Sequence, residues 1–207
     1  MIKNILFDIG NVLMHFDEYG HAERNYGTEA AEAIMSGLRE GGIGDLFDRG
    51  LLPHGDIVKA YVDYAPQFEE EIKGFVDTIG DCMYPHGYAI PWIKELKELG
   101  YNVYYLSNWS DWFLTAHTDA LSFLPYTDGG VFSHIVHLLK PEKEIYDCIC
   151  DKYGLDPEEC LFLDDRRVNV QGALDAGLDS IRFEGYEKSY PVIMEYLRKD
   201  RENGDQI

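Results

Sequence analysis

The chain opens on a short apolar run, Asn4 to Phe7, that stops at Asp8. A run this short, rich in branched and aromatic residues, predicts a strand buried on both faces. Similar runs recur at "YNVYYLS" (101–107), "CLFLDD" (160–165) and "DSIRF" (179–183), with "HIVHLL" (134–139) a weaker candidate. Between them the apolar spacing turns helical: "WIKELKEL" closed by Gly100, "PEKEIYDCICDKYG" ended by Gly154, and "VNVQGALDAG". Strands alternating with helices of this length predict an α/β fold, a Rossmann-like doubly wound parallel sheet with helices on both faces.

Residues 17–84 interrupt that alternation. They carry no convincing strand but several helical stretches, such as "GTEAAEAIMSGLRE" and "HGDIVKAYVDYA", and "YPHGYAIP" (84–91) reads as a hinge back to the core. The expected organisation is a core of residues 1–16 and 86–207 with a small α-helical cap subdomain, 17–85, inserted after the first strand and lying over the sheet's ligand edge. The closing "DRENGDQI" reads as a frayed acidic tail.

At 207 residues, 45% of them hydrophobic and 14% aromatic, the chain can bury a full core and a smaller subdomain. No apolar run approaches the ~18–20 residues of a membrane span, and no signal-peptide pattern opens the chain. Cys82, Cys148, Cys150 and Cys160 form no C-x-x-C pair. Reduced thiols and a cytoplasmic location are the expectation. Cys148 and Cys150, two apart on a helix, point in different directions and make a poor metal pair. The net charge of −20 opposes nucleic acid and anionic membranes as partners, and no obligate protein partner is evident. An anionic substrate requires the site itself to reverse the sign locally, which points to a bound cation.

Polar groups recur where strands end. Asp8 follows the first, Ser107 and Asn108 follow "NVYYL", Asp164 and Asp165 follow "CLFL", and Lys140 follows "HIVHLL". Strand ends of a parallel sheet converge on the edge where such folds bind ligands. A lone Asp after a strand is weak evidence, because Asp is common in turns and caps. Two adjacent acids after an apolar strand are costly to bury without a cation.

Together, "DIGNV", "LSN", "LKPEKEIY" and "FLDDRRVNVQGA" resemble the four motifs of the haloacid dehalogenase superfamily of phosphotransferases, covering Asp8 to Ala173. "FDIGNV" followed by "FD" looks most like its bacterial sugar-phosphate phosphatases, particularly the α-D-glucose-1-phosphate phosphatase type. The resemblance implies a magnesium-dependent phosphatase acting on a small phosphorylated metabolite. It makes Asp8 the nucleophile that becomes an aspartyl phosphate, and Lys140 the cation that neutralises it. Ser107 and the backbone amides around Asn108 hold the phosphoryl oxygens. Magnesium is held by Asp8, the Gly10 carbonyl and Asp165 with Asp164 assisting, and Asn169 orients one of these groups. Three carboxylates against Mg²⁺ and one lysine make the protein part of the site nearly neutral, as phosphoryl transfer requires. Trp109, next to the phosphate-binding pair, is a candidate for the pocket lining. Trp112, three residues on, reads as core. The cap's His54, Asp56, Tyr61 and Tyr84 are possible selectors of substrate, but no spacing singles them out.

Gly10 stands where most phosphatases of the family carry a second aspartate that protonates the leaving alcohol. Acid–base help of that kind contributes ~10²–10⁴-fold. A site without it favours a leaving group that tolerates charge, such as the anomeric hydroxyl of a sugar 1-phosphate. His15, Asp17 and His86 are the candidate substitutes. The rival readings are a 2-haloacid dehalogenase, a phosphomutase and a non-catalytic sugar-phosphate-binding protein.

Overall fold

Strand β1 (Asn4–Phe7) lies in the middle of a five-stranded sheet and is buried along its whole length. The structure, a computed structural model, describes residues 1–112 and 118–204. The sheet order is β5-β4-β1-β6-β7, with β4 (Asn102–Ser107), β5 (Gly129–Phe132), β6 (Cys160–Asp164) and β7 (Asp179–Arg182), and every pairing is parallel. Alternate side chains serve two cores. Ile5, Phe7, Val103, Leu161 and Leu163 pack on one side, and Leu6, Tyr104, Leu106, Val131 and Phe162 on the other. Burial on both faces is why these strands are apolar runs rather than alternating ones. The doubly wound α/β expectation holds.

The insert between β2 (Met14–Phe16) and β3 (Met83–Pro85) contains α1 (Glu18–Tyr26), α2 (Thr28–Arg39), α3 (Ile43–Asp48), α4 (His54–Tyr64) and α5 (Glu69–Thr78). Asp17 caps α1 by accepting from Gly20 N–H at 2.9 Å. Ala30, Ala31 and Ile34 of α2 and Ile72, Phe75 and Val76 of α5 turn inward. Four helices and a final long one complete the core: α6 (Ala89–Glu98), α7 (Ser133–Val136), α8 (Lys143–Tyr153), α9 (Arg167–Asp175) and α10 (Tyr186–Gly204).

Three expectations need correction. First, 17–84 is not free of strand: β3 pairs antiparallel with β2, so a two-stranded ribbon rather than a bare hinge joins the insert to the core. Second, "HIVHLL" is not a strand. Ser133–Val136 is a single helical turn ending at His137 in the left-handed region (φ 58°), and the strand is "GGVF" just upstream. Glycine has poor β propensity. At residue 130 it is needed, because a Cβ there would meet Tyr105 O of the neighbouring strand at 2.4 Å. Third, the acidic tail is helical through Gly204, and Asp200 Oδ2 accepts from Ile2 N–H at 2.6 Å. Residues 205–207 lie outside the described part.

All four cysteines are free, with Cys148 half-buried and Cys150 buried. Among the described residues no helix is long and apolar enough to cross a membrane.

Helix α9 approaches the Lys140–Pro141 peptide, a cis bond, so closely that only glycine fits at residue 172. A Cβ there would lie 2.6 Å from Pro141 O and 3.1 Å from its Cα. Gly172→Ala is therefore expected to destabilise the fold by about 1–3 kcal/mol, as overpacking against backbone does. Thermal denaturation checks this, and an unchanged Tm would contradict the close contact.

Candidate active site

The carboxyl ends of β1, β4 and β6 bring Asp8, Ser107 and Asp164 to one edge of the sheet. The loop after α7 brings Lys140 to the same place. Lys140 is almost wholly buried, with Nζ 2.7 Å from Asp8 Oδ1 and 2.8 Å from Asp164 Oδ2. Asp8 Oδ1 also accepts from Ile9 N–H at 2.7 Å, which fixes its carboxylate against the turn.

Asp164 is fully buried and densely bonded. Its Oδ1 accepts from Arg166 N–H at 2.8 Å, and Asn169 Nδ2 donates to both oxygens at 3.1 and 2.9 Å. Asp165 is half-buried and lines the cavity, so it presents the more open carboxylate of the two. Asn108 has a task that motif order alone does not reveal. Its Oδ1 accepts from Lys140 N–H at 2.9 Å and its Nδ2 donates to Lys140 O at 3.2 Å. The side chain thus clamps the lysine's backbone from both sides. Trp109 N–H donates to Ser133 Oγ at 2.8 Å, so this amide is already committed within the protein.

Charge and burial oppose one another here. Burial pushes the Asp8 carboxyl up to about 7, with Lys140 pulling it down and Asp164 and Asp165 pushing it further up. Burial pulls the Lys140 ammonium down, but Asp164 and Asp8 outweigh it and leave the pKa above the ordinary lysine value. Asp165 is raised by burial and by Asp164, against Lys140 and Arg166.

One carboxylate oxygen from each of Asp8, Asp164 and Asp165 lies within 4.8 Å of the others. Three hard oxygen donors suit a magnesium-like cation. Asn169 Oδ1 is buried with no partner among the described residues, an acceptor that water carried by such an ion would satisfy. The residues present fit the group.

The site opens into a cavity of ≈ 230 Å³ shared by core and insert. From the core come Asp8, Gly10, Ser107, Asn108, Lys140, Asp165 and Asn169. Trp109 and Trp112 both line it, so Trp112 is more than core packing. Of the insert residues singled out in the sequence only Tyr61 lines it; Asp56 and Tyr84 do not, and the side chain of His54 lies outside the described residues.

None of the candidate substitutes for the missing acid reaches the cavity. Asp17 is held below the usual carboxylate range by the Gly20 N–H it accepts, with Arg24 adding to the effect against some burial. His15 stacks on Tyr84 at 4.6 Å and His86 on Tyr88 at 4.8 Å. Glu18, Asp48 and Arg166 line the cavity instead. Burial pushes both acids up to about 7: Arg39 and Arg166 oppose this at Glu18, and Glu18 itself adds to it at Asp48. No periodicity marks them. Glu18 reads as an ordinary helix start and Asp48 as a solvated helix end.

With Asp8, Glu18 and Asp48 all raised, the folded chain retains protons that the unfolded chain releases between about pH 4 and pH 7. The stability they contribute is present at low pH and lost as pH rises through about 7. A cation offsets the same charge. Mg²⁺ is therefore expected to raise the Tm, relative to EDTA, more at pH 8 than at pH 5.5. Scanning calorimetry at the two pH values checks this, and a larger effect at pH 5.5 contradicts it.

A family model described as haloacid dehalogenase-like hydrolase matches residues 2–177. The (S)-2-haloacid dehalogenase 4A of Burkholderia cepacia is 30% identical over 118 residues, 55% of this chain and 50% of its own length. The chain thus spans about half of that relative. The D-ribitol-5-phosphate phosphatase of Bacteroides thetaiotaomicron is 23% identical over 195 residues, 89% of this chain and 93% of its own. A solved structure of a HAD family enzyme from the same organism, in complex with magnesium and inorganic phosphate, matches with a TM-score of 0.68. It is 22% identical and covers 88% of this chain and 94% of that one, a likeness of fold.

Proposed function

The chain belongs to the haloacid dehalogenase-like hydrolases, and from there we propose that it is a magnesium-dependent phosphatase of a small sugar or sugar-alcohol phosphate. The observation that carries this reading is the buried lysine shared by Asp8 and Asp164, with Asp165 beside them. Attack on carbon needs one carboxylate, whereas a cluster of three with a single lysine is suited to a cation and a phosphoryl group.

In this reading residues 1–16 and 86–207 form the catalytic core and 17–85 the cap. Asp8 attacks phosphorus, the bond to the alcohol oxygen breaks, and an aspartyl phosphate forms; water then releases inorganic phosphate and restores Asp8. Lys140 neutralises charge on Asp8 and on the transferring group. Ser107 and the Asn108 backbone hold phosphoryl oxygens, while the Asn108 side chain keeps Lys140 in place. Asp8, the Gly10 carbonyl, Asp165 and Asp164 hold magnesium, which when bound supplies the positive charge that the net −20 chain otherwise lacks here. Asn169 orients Asp164.

The cavity supports a compact substrate. Its ≈ 230 Å³ is below the ~300–1,000 Å³ typical of pockets for drug-sized ligands. Its cap side pairs aromatic and aliphatic surface (Leu38, Phe47, Ile57, Tyr61) with two acids, Glu18 and Asp48. Such a lining suits hydroxyls and C–H faces and opposes a second negative charge on the substrate. The α-D-glucose 1-phosphate type and the D-ribitol 5-phosphate type of substrate both meet these conditions.

The 30% identity to a haloacid dehalogenase favours a second reading, carbon–halogen hydrolysis without a metal. Purified protein assayed with α-D-glucose 1-phosphate, D-ribitol 5-phosphate, 4-nitrophenyl phosphate and 2-chloropropionate separates the two. Phosphate release is expected, abolished by EDTA and restored by Mg²⁺. Asp8→Asn is expected to lower it on the order of 10⁴-fold or more, as loss of a nucleophile does. Chloride release that survives EDTA, with no phosphate release, overturns the phosphatase reading.

A further inference from the structure

Gly10 keeps a backbone carbonyl at the site but has no proton to give, and the cavity supplies two carboxyls from elsewhere. Asp48 is the last residue of α3 and Glu18 the first of α1, and both line the cavity that holds Asp8 and Lys140. We infer that Asp48 is the general acid and base of the reaction, delivering from the cap the proton that residue 10 cannot, with Glu18 as a positioning residue whose charge acts on it. This rests on the phosphatase reading above.

The placement of the two acids separates their roles. Helix carbonyl dipoles disfavour negative charge at the C-terminus of α3, where Asp48 sits, and amide dipoles favour it at the N-terminus of α1, where Glu18 sits. The groups facing Glu18 are Arg39 of α2, Arg166 at the start of α9, and Asp17. Those facing Asp48 are Glu18, Asp45 of its own helix, Lys140 and Arg166. Tyr61 of α4 faces both. The dipoles thus favour charge on Glu18 over charge on Asp48, and a charged Glu18 adds to the burial that pushes the Asp48 carboxyl up to about 7.

Asp48 is also fastened to the core rather than carried loosely on the cap. Ser133 Oγ donates to Asp48 O at 2.5 Å, Arg49 pairs with Glu142 and donates to His137 O at 2.9 Å, and His137 Nδ1 lies 2.6 Å from Arg49 O. The same Glu142 accepts from Leu139 N–H at 3.0 Å, the residue before Lys140. The backbone of Asp48 and the residue before the lysine are thus gripped by one set of contacts, which fixes the position from which the carboxyl reaches into the cavity.

The chemistry balances. Asp8 forms a bond to phosphorus as the bond to the alcohol oxygen breaks, and Asp48 passes its proton to that oxygen. Water then attacks the aspartyl phosphate, Asp48 takes a proton from it, and inorganic phosphate leaves. One ester and one water become one alcohol and one phosphate. A supplied acid also relaxes the preference for anomeric esters that Gly10 alone implies, so primary alcohol esters come within range.

The test is a leaving-group series, substituted phenyl phosphates from 4-nitrophenyl to 4-methoxyphenyl, read as kcat/KM with Mg²⁺. That quantity reports phosphoryl transfer to Asp8. The wild type is expected to respond weakly to leaving-group acidity. Asp48→Asn is expected to lose on the order of 10²-fold or more on the 4-methoxyphenyl ester, and at least tenfold less on the 4-nitrophenyl ester. Gly10→Asp in the Asp48→Asn background is expected to recover the 4-methoxyphenyl rate. A side chain fits there, since a Cβ on Gly10 meets only Phe16 Cδ1, at 3.9 Å. Glu18→Gln is expected to move the alkaline limb of the 4-methoxyphenyl profile to lower pH, because a like charge beside Asp48 is removed. Equal losses on both esters, or no recovery by Gly10→Asp, overturn the proposal while the phosphatase reading stands. If Asp48→Asn does not fold, the wild-type series decides: a steep dependence on leaving-group acidity overturns it. Absence of any Mg²⁺-dependent turnover overturns both.

Discussion

The Lys140 ammonium, its side chain 1% exposed between two carboxylates, is the interaction on which the rest of the structure turns. A buried charge that loses its partner costs about 3–5 kcal/mol, so the fold has to deliver both acids to the lysine together. Adjacent strands β1 and β6 do so, one ending at Asp8 and the other in Asp164. The lysine arrives on irregular chain, and three features fix it: Asn108 bonded to its N–H and C=O, Glu142 on Leu139 N–H, and the glycine of α9 against Pro141. Three acids and one lysine still leave the cluster two charges negative, inside a chain of net charge −20. That imbalance is the physical reason for a cation, and it precedes any question of substrate.

The sheet and its strand-end polar groups were legible because strands buried on both faces must be apolar, so a polar residue that ends one stands out. Asp8, Ser107 and Asp164 stand out in this way. Motif order singles out Lys140, but the strand before it is not the one that the apolar pattern points to. "GGVF" pairs in the sheet because glycine lets β5 approach Tyr105, a tertiary demand that overrides propensity, whereas the more strand-like "HIVHLL" ends in a turn. The structural task of Asn108 was illegible for a similar reason. It depends on a partner 32 positions away.

The two acids that the insert adds to the cavity were the least legible residues of all. Glu18 and Asp48 sit at helix ends, where acids are common and usually solvated, and nothing in their spacing distinguishes them from Asp17 or Asp45. Only the folding of the insert over the sheet edge turns them into cavity walls. The same step disposes of His15, Asp17 and His86, which are near the site in sequence but are engaged in the ribbon, a helix cap and an aromatic stack.

A carboxylate at residue 10 would sit two positions from the nucleophile, fixed by the same turn and in place whatever ester entered. A carboxylate on α3 is tied to the core through Ser133 and the Arg49–Glu142 pair. Yet it stands in the same wall as Phe47 and Tyr61, the aromatic surface that in the proposed reading meets the alcohol part of the substrate. In the proposed mechanism, placing the acid on α3 ties proton delivery to the recognition of the leaving group. An ester too large for the cavity, or one carrying a second negative charge beside Glu18 and Asp48, would seat its leaving oxygen away from Asp48 and forfeit the proton as well as the fit. Selectivity then enters through the bond-breaking step and not through binding alone, because a misplaced leaving oxygen costs rate as well as affinity.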